Sequence, residues 1–332
     1  MSGQLWSINE RGGYMYTDEL SNVLRTNLQP VVKFRQFCDA KDATDKGLGK
    51  GQTYSWNIYS DVQDPGGQLD EQAEMPETNY KIKQASLTVR ELGNSVPYTG
   101  LLDNLSKQPV TEIIHKVLKN DTKKSLDCAA HAQFNATPLK VQAASGSSTT
   151  AIVSVTSGSI GVTNNVAFGK DHVKAVVDLM KERNIPPYQG DDYFAIGWPS
   201  TFRQVKNDLE ALHQYVETGF TKIMNGEIGR YEGMRFVEQT NVTKGGAEDS
   251  TTYNSRTTAD AWNNGKSDWI FFFGEDTVAE ALCIPEEIRG KIPGDYGRSR
   301  GVAWYYLGGF GIVHGAAGDT VNLRIAKWES AA

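Results

Sequence analysis

The chain has 332 residues, 39% of them hydrophobic and 22% charged, with a formal net charge of -6 and a pI near 5.5. That supports one large domain or two packed ones and excludes a disordered chain. It also argues against a dedicated nucleic-acid binder, which would carry a basic stripe.

The first forty residues read as an arm with one helical piece over residues 18–28, where Leu20, Val23, Leu24 and Leu28 recur at helical spacing before Pro30. Residues 53–61 alternate, with Tyr54, Trp56 and Ile58 against Ser55 and Asn57, and predict a strand. A second strand is expected over residues 80–91, where Ala85, Leu87 and Val89 alternate with Ser86, Thr88 and Arg90. Between them, residues 62–79 are polar and turn-rich and carry Asp64, Asp70, Glu71, Glu74 and Glu77 without a Lys or Arg. The simplest reading is a long antiparallel hairpin with an acidic tip, which cannot bury much of itself within its own subunit; a surface loop is the alternative.

After Gly93-Asn94 the periodicity predicts a helix over residues 110–135, entered at Pro109. Val110, Ile113, Ile114, Val117, Leu118, Leu126, Ala129, Ala130 and Phe134 form its apolar stripe, and Lys116, Lys119, Lys123 and Lys124 lie mostly off it. Residues 141–167 contain no charge and read as short covered strands. Further on come a helix over 171–183, a strand over 193–198 and a helix opened by Pro199-Ser200. A turn enters a strand over 226–239, a strand covers 269–273, and a short helix is expected over 275–282. Strands over 302–311 and 321–328 close the chain. Without a regular βαβ rhythm, the fold class is α+β.

No catalytic or cofactor constellation emerges. Cys38, Cys128 and Cys283 are far apart, with no Cys-x-x-Cys pair, so neither a zinc module nor a disulfide framework is indicated and a reducing compartment fits best. Neither a signal peptide nor a membrane-length apolar run is seen. The Asn-x-Ser/Thr matches at Asn104, Asn120, Asn135 and Asn241 read as chance. Gly49-Lys50 is followed by Gly51, so the Walker spacing fails, and Gly309-Phe-Gly311 lacks the third glycine of a dinucleotide loop. The five histidines, His115, His131, His172, His213 and His314, form no His-Glu-x-x-His pair. Cys128 and His131 share a helix face but lack a third ligand, and read as a packed thiol beside a half-exposed histidine. Asp191-Asp192 and Glu286-Glu287 read as solvated turns. The aromatic runs Phe271-Phe-Phe273 and Trp304-Tyr-Tyr306 lack interleaved basic residues and read as core or interface rather than base-stacking platforms.

Three segments resemble the major capsid proteins of short-tailed bacteriophages. They are Ala85-Ser-Leu-Thr-Val-Arg-Glu-Leu-Gly-Asn-Ser-Val-Pro-Tyr-Thr99, the more specific Gly226-Glu-Ile-Gly-Arg-Tyr-Glu-Gly-Met-Arg-Phe-Val-Glu238, and the helix–strand–helix order from Phe168 to Leu212. The resemblance implies the Hong Kong 97-type capsid fold, whose element order some members permute. Residues 1–40 would be the N-terminal arm, 41–92 the extended loop, 93–167 a peripheral domain with the spine helix and the uncharged β segment, 168–300 the axial domain, and 301–332 strands returning to the peripheral domain. It implies a non-enzymatic protein without cofactor that assembles with itself, as hexamers and pentamers, into an icosahedral shell in the host bacterial cytoplasm. Scaffolding, portal and cement proteins would be its partners, and double-stranded DNA would be enclosed without sequence-specific binding. The one-signed tip motivates an inter-subunit contact of Asp64, Asp70, Glu71, Glu74 and Glu77 with Lys116, Lys119, Lys123 and Lys124. An encapsulin-like cellular shell and a soluble α+β enzyme are the alternatives.

Overall fold

The structure is a computed structural model and describes residues 28–42, 53–62, 66–69, 74–75, 77–213, 230–242, 268–314 and 320–330. The helix expected over residues 18–28 lies outside these but for Leu28, as do Asp64, Asp70, Glu71 and His213's side chain.

The strands are β1 (Asp39–Asp42), β2 (Thr53–Val62), β3 (Tyr80–Thr88), β4 (Arg90–Thr99), β5 (Lys140–Ala143), β6 (Ile152–Val155), β7 (Tyr193–Gly197), β8 (Arg230–Tyr231), β9 (Met234–Glu238), β10 (Ile270–Phe273), β11 (Val278–Gly290), β12 (Ser299–Ile312) and β13 (Ile325–Trp328). The helices are α1 (Gly100–Leu105), α2 (Val110–Asn135), α3 (Lys170–Glu182) and α4 (Arg203–His213). Three sheets result: β1-β11-β12-β4, β6-β5-β13-β10-β7-β9-β8, and the separate pair β2-β3.

The helix α2 has the bounds its periodicity predicts. It lies on β12, β4 and β11 and is tied to that sheet by Asp121, which accepts from Trp304 Nε1 at 2.8 Å and Asn94 Nδ2 at 3.0 Å. Val117 departs from the expected stripe and is 51% exposed. His131 is buried rather than half-exposed, stacked on Trp269 and edge-on to Phe271.

The aromatic run of β10 shows why the seven-stranded sheet sits centrally. Successive strand residues face opposite sides. Phe271 and Phe273 enter the cluster with α2; Ile270 and Phe272 enter the cluster with α3 and α4. Each buried side chain contributes about 1.5–3 kcal/mol of transfer free energy. The strand β7 divides likewise, Phe194 and Ile196 to one side, Tyr193 and Ala195 to the other. At its edge β8 and β9 form a hairpin turned by Glu232 and Gly233, both at positive φ. That hairpin is the described part of the 226–238 segment. Its Arg235 donates from Nε to the buried Asp192 at 2.7 Å, so Asp192 is no solvated turn.

Several expectations are corrected. Residues 275–282 do not form a helix: β11 begins at Val278 and is paired on both sides, parallel to β1 and antiparallel to β12. Pro285 is tolerated because the register with β12 shifts there. Gly93 and Asn94 lie inside β4, which breaks from β3 at Val89 and joins a different sheet. The last strand is shorter than residues 321–328. The uncharged segment's β5 and β6, together with β13, belong to the seven-stranded sheet, while β11 belongs beside β12 and β4.

Candidate assembly surfaces

The β2–β3 hairpin forms its own sheet, in antiparallel register from Thr53↔Thr88 to Val62↔Tyr80. Its root is seated: Leu87 and Val89 are buried with Ala281 and Cys283, and Tyr54, Trp56 and Leu307 pack against them. The seat needs glycine. A Cβ at Gly309 would stand 2.5 Å from the Thr88 carbonyl oxygen, and one at Gly311 would stand 2.6 Å from Leu87 Cβ. Two cavities flank the root, of about 230 Å³ beside Gly309 and Gln133 and about 280 Å³ beside Trp56 and His314. Beyond the root, Tyr59, Val62, Leu69, Met75, Tyr80 and Ile82 are exposed.

Of the acids expected at the tip, Glu74 and Glu77 are described, and both are exposed. On α2, Lys116, Lys119 and Lys123 are exposed, and Lys124 is half-buried, its carbonyl accepting from Asn241 Nδ2 at 3.2 Å. The two groups belong to different elements. A second projection is the far end of β11 and β12. It turns at Asp295 and Tyr296, both at positive φ, and leaves Ile288, Ile292 and Tyr296 exposed. Arg289 lies 3.7 Å over the Tyr305 ring there, so the Trp304-Tyr-Tyr306 run divides between core and arm surface.

The sequence reading missed a clamp on the described end of the arm. Phe34 is fully buried, with ring centroids 4.8, 5.6 and 5.6 Å from His131, Phe134 and Phe271. The backbone N–H groups of Phe34 and Arg35 donate to Asp127 on α2 at 2.7 and 3.2 Å, and Asn241 Nδ2 donates to the same carboxylate at 3.0 Å. Burial pushes the Asp127 carboxyl up, against those three hydrogen bonds. Arg35 reaches across to β11, donating to Glu280 at 2.9 Å and Glu286 at 2.9 Å. Tyr306 Oη also donates to Glu280 at 2.9 Å; burial first, then the Glu280 charge, raises that phenol. So Glu286 is an ion-pair partner rather than half of a solvated turn.

A second buried charge group closes the C-terminal end of α2. Lys327 is fully buried, donating to Asn135 Oδ1 at 2.6 Å and pairing with Glu329 at 3.0 Å. Lys140 pairs with Glu329 at 2.9 Å and donates to the Asn135 carbonyl at 3.3 Å. Two ammonium groups thus meet the negative end of the helix dipole. Burial works against the Glu329 carboxylate, but Lys327 and Lys140 outweigh it and hold its pKa below the usual value. Among the described residues no three His, Cys, Asp or Glu side chains gather as a metal site, and no described helix is long and apolar enough to cross a membrane.

No protein-family model matches this chain, and no curated protein matches it in sequence. Its structure, in contrast, matches phage particles over nearly its whole length. The capsid of cyanophage P-SCSP1u superposes with a TM-score of 0.67 at 10% identity, covering 96% of this chain and 94% of that one. The capsid of Ralstonia phage GP4 gives 0.64 at 10% identity, covering 98% of each chain. The head of Helicobacter pylori bacteriophage KHP40 gives 0.67 at 11% identity, covering 96% and 95%. The chain therefore has the α+β fold of these phage capsid chains, in agreement with the Hong Kong 97-type fold that the sequence resemblance implies.

Proposed function

We propose that this chain is the major capsid protein of a bacteriophage, a structural subunit without catalytic role that self-assembles into an icosahedral shell around packaged double-stranded DNA. The observation that carries this reading is the coverage: the likeness to a phage capsid chain extends over 98% of both chains. The structures named above are all phage particles, so a cellular nanocompartment is not favoured.

In this reading the four-stranded sheet with α2 is the peripheral part, and the seven-stranded sheet with α3 and α4 is the axial part at the centre of hexamers and pentamers. The β2–β3 hairpin is the extended loop. Its acids, Asp64, Asp70, Glu71, Glu74 and Glu77, meet Lys116, Lys119, Lys123 and Lys124 of a neighbouring copy. Each exposed pair is worth only about 0–1 kcal/mol, but a closed shell repeats it at every subunit. The acidic net charge suits an inner surface that encloses DNA without gripping it. Scaffolding, portal and cement proteins are the further partners, and assembly takes place in the host bacterial cytoplasm.

Electron microscopy of the purified protein tests the assignment: closed shells are expected, and a protein that stays monomeric under all assembly conditions refutes it. The contact is tested by neutralising Asp70, Glu71, Glu74 and Glu77 together. That variant should fold yet assemble poorly, and normal shells would remove the proposed ion pairs.

A further inference from the structure

The C-terminal end of α2 brings an amine, a carboxamide and a carboxylate into contact inside the subunit. Asn135 is the last residue of α2, and β13 runs parallel to β5 with Lys327 opposite Lys140. Lys327 Nζ lies 2.6 Å from Asn135 Oδ1 and 3.0 Å from Glu329 Oε1. Lys140 Nζ takes the other oxygen, Glu329 Oε2, at 2.9 Å, so the carboxylate is held between two ammonium groups. With a carbonyl bond of about 1.2 Å, Asn135 Cγ stands within about 3.8 Å of the Lys327 amine. Groups poised to react sit about 3–3.5 Å apart, so a small rotation of either side chain brings nitrogen to carbon.

The amine is shielded from water. Lys327 is fully buried, with Nζ 3.6 Å over the Trp269 ring and 5.8 Å from that of Phe271. Lys140, directly opposite, is buried as well. Like charges on opposed strand residues are destabilising, and a buried ammonium is costly. Joining Lys327 to Asn135 would turn one ammonium and one primary amide into a neutral secondary amide. Lys140 would remain as the charge partner of Glu329.

We propose that Lys327 and Asn135 condense into an isopeptide bond within the subunit, with Glu329 carrying the proton. Glu329 accepts a proton from the Lys327 ammonium. The freed Nζ attacks Asn135 Cγ, and the carbonyl electron pair moves onto Oδ1. Glu329 then delivers its proton to Nδ2. As the pair on Oδ1 returns, the Cγ–Nδ2 bond breaks, and the departing ammonia takes the excess proton from Nζ and leaves as ammonium. One C–N bond forms, one breaks, and neither oxidant nor co-reactant is needed. Glu329 ends as it began, a carboxylate. Lys140 is a positioning residue: it holds Oε2 and leaves Oε1 to Lys327. The bond ties the end of the long helix to the last strand of the seven-stranded sheet, 192 positions away in sequence. It lies inside one subunit and does not depend on the shell reading.

Mass spectrometry of the denatured wild-type protein tests this. The chain should weigh one ammonia less than its sequence. Trypsin should release a branched peptide joining residues 125–140 to residues 325–332, uncut after Lys327. Lys327→Met and Asn135→Ala should both keep their full mass. Glu329→Gln retains both reacting groups and should link about a hundredfold more slowly, read as linked fraction against time, with circular dichroism confirming that it folds. Linking of Glu329→Gln at the wild-type rate overturns the role given to Glu329. Folded wild-type protein that stays at full mass for days overturns the bond itself. So does an ammonia loss that persists in Lys327→Met or maps to a cyclised asparagine without a branched peptide. If Lys327→Met does not fold, the wild-type peptide map decides alone.

Discussion

Substituting alanine at Gly309 measures how rigidly the subunit aims its hairpin. The backbone there is not in the left-handed region, so the change adds only a methyl group. That methyl would sit 2.5 Å from the Thr88 carbonyl oxygen, whereas ordinary contact begins near 3.4 Å. Because the opposing atom is backbone, the strands must part by about 0.9 Å. The seat spans about 7 Å, two residues of strand, and the exposed outer side chains lie about 20 Å further along. Pivoting at the seat therefore tilts the hairpin by about 7° and carries those side chains about 2–3 Å. The overpacking itself should cost about 1–3 kcal/mol. Gly309→Ala should thus melt only about 2–4 °C lower in a chain of this length, yet lose most of its assembly. Gly66→Ala, with nothing within 4 Å of the added methyl, is the neutral comparison. Calorimetry reads the first quantity, and electron microscopy of shells reads both yield and hairpin position. Normal shells with the hairpin unmoved would show that the seat yields locally and does not set the aim.

Two further outcomes bear on the clamps around α2. Phe34→Ala empties a fully buried aromatic site between α2 and β10 and should cost about 3–5 kcal/mol, with hydrogen exchange rising first over residues 28–42; unchanged protection there would refute the clamp. Glu329 has a folded pKa below its ordinary value, so its contribution is fully present above about pH 4.5 and is lost as pH falls through the folded value. Glu329→Gln should be less stable than wild type at neutral pH, since Lys327 stays buried without its charge partner, and the gap should narrow in acid. Parallel curves of stability against pH would show that the pair carries no such coupling.

The elements legible in the sequence are those whose pattern is settled locally. Pro109 and a 26-residue stripe define α2, and alternation defines β2 and β3. The apolar run of β10 announces burial on both faces. The elements misread are those whose state is set by distant partners. Ala279, Glu280, Ala281 and Leu282 are good helix formers, but β1 and β12 pair them on both sides as β11. Gly93, Asn94 and Pro97 look like a turn, yet β4 is an edge strand paired only to β12, where proline is tolerated and a Cβ at Gly93 would stand 2.8 Å from the Trp304 carbonyl oxygen. Of the proposed contact, the acids and the lysines are visible as charge patterns. The grouping of the hairpin's exposed apolar side chains is visible only once register and bulge put Tyr59 and Tyr80 side by side. The clamp at Asp127 joins residues about a hundred positions apart and left no periodic trace.

That clamp also orders events during synthesis. Phe34 and Arg35 leave the ribosome more than 200 residues ahead of their partners Phe271 and Glu280. A chain made at about 5–20 residues per second must hold this segment unburied for on the order of ten seconds or more before its site exists. Such non-local closure is slow, and it makes completion of the core one of the last steps in the subunit's folding. The hairpin, whose strands are adjacent in sequence, can pair long before. A nascent subunit thus acquires its outward-reaching ribbon while its interior is still open. The ribbon's exposed apolar side chains must therefore stay unpaired with other chains until the body that aims them has closed.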